Sequence, residues 1–96
     1  MAHQLTRGQQ IAYIPTHARH STGVASTQWA IRHHPDVEFG FVTSQRGDTI
    51  FCRYWRKGHL GDLRTLANSE GTPADCIVVY DSVPQSVVES TLKHIE

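Results

Sequence analysis

Apolar positions along this chain alternate strand-like in residues 9–14, 38–44 and 49–55 and follow a helical period at its C-terminal end. In Gln9-Gln10-Ile11-Ala12-Tyr13-Ile14 both alternating faces carry apolar side chains, which predicts a strand covered on two sides. Pro15 has no N–H to give to a ladder and closes that strand. Glu38 to Ser44 and Thr49 to Trp55 form the clearest pair, joined by Gln45-Arg46-Gly47-Asp48, with Gly47 supplying the positive φ of a tight hairpin. The second arm places Ile50, Cys52 and Tyr54 on one face and Phe51, Arg53 and Trp55 on the other. In the first arm Phe39 and Phe41 share a face opposite Gly40 and Val42, so one face is expected to lie exposed or under another element.

The C-terminal segment reads differently. From about Pro84 to Glu96, Val87, Val88, Thr91, Leu92 and Ile95 recur at helical spacing, with Ser82 as the expected cap and Pro84 in the first turn. This stripe must cover one side of the sheet or a second copy of the chain. Cys76 to Tyr80 is rich in β-branched residues and predicts a further strand, preceded by a 3₁₀ turn at Thr72-Pro73-Ala74-Asp75 with Thr72 capping. Arg56 to Asp62 is expected to be a glycine-punctuated loop. Leu63 to Asn68 reads as a short strand or helical turn, with Leu63 and Leu66 inward. Residues 16–37 read as one long loop whose middle, Ser26 to Arg32, makes a helical turn or two. Loops of that length in small domains tend to carry function. The expected architecture is mainly β: a single domain over residues 1–96, with four or five short antiparallel strands closed on themselves and a C-terminal α-helix.

Composition narrows the function classes. Nine Lys+Arg balance nine Asp+Glu, which argues against a general nucleic-acid coat while allowing a local basic patch. The polar start and the lack of any long apolar run predict a protein of the cytoplasm without a membrane partner. Two cysteines, Cys52 and Cys76, without a CxxC pair, read as buried thiols.

Three pieces of the chain carry a resemblance: Gly8-x-x-Ile11-x-Tyr13-Ile14-Pro15-x-His17-Ala18, His34-Pro35-Asp36-Val37-Glu38-x-Gly40-x-Val42-x-Ser44, and Ile50-Phe51-x-Arg53-Tyr54. Together they resemble a family of short bacteriophage and prophage proteins with small SH3-like barrels, whose first two strands are reminiscent of the KOW motif. The resemblance covers roughly residues 8–55 well and the remainder more loosely. It implies an SH3-like antiparallel barrel and a phage or prophage accessory protein in a bacterial host cell. This chain departs from that pattern in spending Arg19 to His33 between "HA" and "HPD", where the family has only a few residues.

Candidate chemistry is sparse. His17, His20, His33 and His34 are metal-ligand candidates, which Asp36, Glu38 or Cys52 would complete, but no CxxC or HExxH accompanies them. The preferred reading is a hydrogen-bonded clasp in which His17 meets His34-Pro35-Asp36 and fixes the long loop to the sheet. No nucleophile elbow, paired-carboxylate or phosphate-loop pattern is present, so the expectation is a non-enzymatic protein without a cofactor. The partner-binding candidates are Trp29, Arg53, Trp55, Arg56, Lys57 and His59. A host protein is the expected partner, and blocking a host defence is one form this takes. The alternative is nucleic acid held on the strip from Arg53 to His59, where aromatic faces stack bases and cations meet phosphates. A homodimer is the cheap way to bury an uncovered face.

Overall fold

The computed structural model describes residues 5–18, 24–65 and 67–95. Six strands, β1 (Gln10–Tyr13), β2 (Glu38–Arg46), β3 (Thr49–Arg56), β4 (His59–Leu63), β5 (Glu70–Pro73) and β6 (Ile77–Val79), build one antiparallel sheet. Two helices accompany it, α1 (Val24–His33) and α2 (Gln85–Ile95). The order across the sheet is β4-β3-β2-β1-β6, with β5 pairing along the first half of β3.

The expected hairpin forms the centre. β2 and β3 pair from Gly40↔Tyr54 out to Arg46↔Thr49, with a bulge between Val42 and Ser44 that shifts the register. Such a bulge adds twist and bends the strand. Gly40 is needed here for space, since a Cβ at that position would sit 2.0 Å from the Arg53 carbonyl oxygen.

The hydrogen-bonded ladder does not close into a barrel, contrary to the closed sheet expected from the sequence. A short 3₁₀ turn, Ala74–Cys76, carries the chain from β5, which pairs with β3, to β6, which pairs with β1 at the opposite side. The two strands lead to opposite edges and leave the ladder open. Those edges are short, which is one way natural sheets limit unwanted pairing.

Both faces of the sheet are apolar. One buries Ile11, Val42, Ile50, Cys52 and Tyr54, with Ile77 and Ala74 against them. On the other, Phe41 and Trp55 pack under Val88 of α2, flanked by Val87, Leu92 and Ile95. The helical stripe thus covers the phenylalanine face, the first of the two outcomes its spacing allowed. A third cluster places Ala30 of α1 with Ala12, Ile14, Ala18 and Val37, docking the long connection onto β1.

Four local expectations change. The Ser26–Arg32 turn is part of a ten-residue helix, with Ala30 as its buried anchor. The region read as a loop contains β4, which returns along β3 through Trp55↔Leu63 and Arg56↔His59 around a positive-φ Gly58. Thr72 does not cap the 3₁₀ turn; its hydroxyl is 2.7 Å from the Tyr54 phenol in the core. The Ser82 hydroxyl is buried without a hydrogen-bond partner. Gln10 secures that approach instead. Its Oε1 accepts from the Ser82 and Val83 amides at 3.0 Å each, and its Nε2 donates to the Val83 carbonyl at 2.7 Å. Leu66, expected to point inward, lies outside the described residues.

Candidate functional site

Two features stand side by side where the long connection returns to the sheet: a polar clasp and a cleft. The clasp joins a short 3₁₀ turn, Thr16–Ala18, to the segment that follows α1. His17 Nε2 lies 2.7 Å from Asp36 Oδ2, and the Asp36 amide donates to His34 Nδ1 at 3.1 Å. The His17 and His34 rings meet edge to face, with centroids 5.7 Å apart. The hydrogen bond from His17 holds the Asp36 carboxyl below its ordinary value, with the charges of His17, His34 and Lys57 acting the same way. Lys57 donates to the Pro35 carbonyl, tying the β3–β4 turn to the clasp.

The expected clasp of His17 with His34-Pro35-Asp36 is therefore present. The wider set of metal candidates divides. His17, His34 and Asp36 converge, with one donor atom of each lying within 4.8 Å of the others. His33 instead packs on Trp29, with ring centroids 5.5 Å apart. Glu38 is bound to Arg64 at 2.8 Å. Cys52 sits in the core, where burial pushes its thiol up to about 11, so it is a protonated core thiol at neutral pH. His20 lies outside the described residues.

The cleft, of about 490 Å³, opens between the residues after α1 and the β3–β4 hairpin. Val37, Phe39 and Leu60 give it apolar walls, Trp55 lies at its floor, and Arg56 and Lys57 stand at its rim. Leu60 is 49% exposed, a large apolar side chain held out to solvent by a two-residue turn. The acidic lining residue, Glu38, is paired with Arg64, which it shares with Glu70 through two further bonds at 2.8 and 3.0 Å. Arg56 and Lys57 add positive charge at the rim. A wider depression of about 730 Å³ lies between β4 and the end of α2, but Asp62 and the committed Arg64 give it mixed charge.

The six partner-binding candidates fall in four environments. Arg56, Lys57 and His59 are exposed around the β3–β4 turn. Trp29 is 44% exposed on α1. Arg53 is half-buried, and its Nη1 donates to the Thr65 carbonyl at 2.6 Å. Trp55 is 1% exposed, packed against Phe41 with ring centroids 5.3 Å apart and covered by α2. This corrects the picture of an open strip from Arg53 to His59: its tryptophan offers no face for a base, and the Arg53 guanidinium is tied to the backbone. The period of two placed Trp55 beside Arg53 correctly but did not reveal that α2 covers that side. Leu60 was missed, because an isolated leucine in a polar loop carries no periodic signal; the flanking Gly58 and Gly61 are the only hint of a projecting hairpin.

Among the described residues, no helix is long and apolar enough to cross a membrane. No protein-family model, curated protein or solved structure matches the chain.

Proposed function

We propose that this protein is a non-enzymatic binding module of phage or prophage type, which captures a host protein in the cleft between the clasp and the β3–β4 hairpin. The observation that carries this reading is the cleft itself: apolar walls from Val37, Phe39 and Leu60 beside the exposed cations Arg56 and Lys57, with its acidic lining residue Glu38 held by Arg64. Such a surface suits a protein segment that presents an apolar side chain next to a carboxylate. The phage setting rests on the resemblance of the pieces around His17, His34-Pro35-Asp36 and Arg53-Tyr54. An SH3-like scaffold is part of the same reading. It is supported by the run β6-β1-β2-β3 with β5 along β3, and by the 3₁₀ turn that links β5 to β6. Scaffolds of this kind commonly grip ligands between loops while their strands stay rigid. Blocking a host defence protein is the form of accessory function that such a small binder serves by occupying a surface.

The test is affinity capture from nuclease-treated bacterial lysate with the full chain and with a Lys57→Glu, Leu60→Asp double variant. One dominant protein retained by the parent chain and lost from the double variant supports the reading. A protein captured equally by both chains overturns the cleft as the binding surface. Capture only of nucleic acid from untreated lysate overturns the protein partner.

A further inference from the structure

The clasp is more than a fastening. We infer that His17, His34 and Asp36 form a binding site for a divalent transition-metal ion of the zinc class, independent of the cleft and its partner. Three donors of the right chemistry, two imidazoles and one carboxylate, are brought close together from two separate segments of the chain. Their donor atoms all lie within 4.8 Å of one another. Two donors bound to the same ion at about 2.0–2.1 Å each stand roughly 3 Å apart. His17 Nε2 and Asp36 Oδ2, at 2.7 Å, need to separate only slightly to admit an ion between them.

Imidazole nitrogen with one carboxylate is a donor set that zinc accepts readily, and also nickel or copper. Calcium and magnesium prefer all-oxygen surroundings. Three protein donors leave a coordination position for water, and the exposure of His17 and Asp36 lets an ion enter without opening the fold. Binding needs both imidazoles neutral and the carboxylate ionised, so it weakens as pH falls. Lys57 opposes it: its ammonium lies close enough to act on the Asp36 carboxylate and stands against a second positive charge. A bound ion would pin the Thr16–Ala18 turn to the segment after α1, bracketing the helix with a metal-ligand link between positions 17 and 36.

The experiment is titration of the chelator-treated full chain with Zn²⁺ by calorimetry, with Co²⁺ absorption spectra as a second readout. One equivalent is expected, with a rise in melting temperature. His17→Ala and His34→Ala should each weaken binding by about tenfold or more. Asp36→Asn separates the two roles of that residue. Its amide oxygen still accepts from His17, so the fold and its melting temperature without metal are kept, while zinc affinity falls by a similar factor. Lys57→Ala should tighten binding several-fold, and His33→Ala, outside the cluster, should leave it unchanged. Absence of stoichiometric binding overturns the site. So does binding that survives His17→Ala and Asp36→Asn, since that would place the ion on other surface histidines.

Discussion

The α2 cluster and the polar clasp, both beside the sheet, are held in opposite ways. Toward α2, Phe41, Trp55 and Val88 meet in a dry cluster with almost no exposed surface. Toward the long connection, exposed His17 and Asp36 and half-buried His34 are joined by hydrogen bonds, and a lysine ammonium caps the Pro35 carbonyl. Burial of large side chains contributes kilocalories per residue, whereas hydrogen bonds between water-accessible groups contribute little net. Dry packing, under α2 and in the Ala12, Ile14, Ala30 and Val37 cluster that docks the long connection, therefore sets whether the chain folds. The clasp is free to carry recognition, because its groups can change partners at small cost to stability.

This contrast can be broken most forcefully at Trp55. Replacing it with alanine leaves a cavity beneath α2 and should destabilise the protein by about 3–5 kcal/mol, read from the shift in urea midpoint. That is a large part of the total of roughly 5–15 kcal/mol expected for a domain. A loss below about 1 kcal/mol would show that the α2 face is not the folding core.

A smaller effect is expected at Gln10, a polar residue buried within the apolar sheet. Gln10→Leu keeps the volume but strips acceptors from the Ser82 and Val83 amides and the donor from the Val83 carbonyl. The expected cost is about 1–3 kcal/mol, with hydrogen exchange accelerating first in α2. Unchanged exchange there would mean that apolar packing alone positions the helix.

The smallest effect concerns the Glu38-Arg64-Glu70 network beside the cleft. Hydrogen bonding to Arg64 lowers the Glu70 carboxyl from the ordinary 4.5. The folded value lies below the unfolded one, so this pair stabilises the protein above about pH 4.5 and is lost as pH falls through the folded value. Because the pair is exposed to solvent, Glu70→Gln should flatten stability against pH in that acidic range by under about 1 kcal/mol. A change near neutral pH would contradict the assignment.

Legibility in the sequence followed the same division. The β2–β3 hairpin and α2 were readable because their periods are local: Gly47-Asp48 fixes the turn, and Val87, Val88, Leu92 and Ile95 mark one helical face. The clasp was readable from residue chemistry, since a histidine placed near His-Pro-Asp invites an imidazole–carboxylate bond. What depended on distant pairing was not readable. β4 is polar and interrupted by Gly61, and exists because Leu63 finds Trp55 across the ladder. Whether Trp55 faces solvent or helix is decided by α2, thirty residues further along the chain. The role of Gln10 appears only when the backbone at 82–83 arrives beside it. The open ladder likewise depends on where the turn at Ala74–Cys76 delivers the chain, which no local pattern encodes.

The most direct measurement places a photo-reactive amino acid at position 60, on the cleft, and separately at position 79, a 58% exposed residue of the β6 edge. Irradiation of bacterial host cells expressing each variant should give one discrete protein adduct from position 60, abolished by Lys57→Glu, and none from position 79. An adduct from position 79 alone, or the same adducts from both positions, would contradict recognition through the cleft.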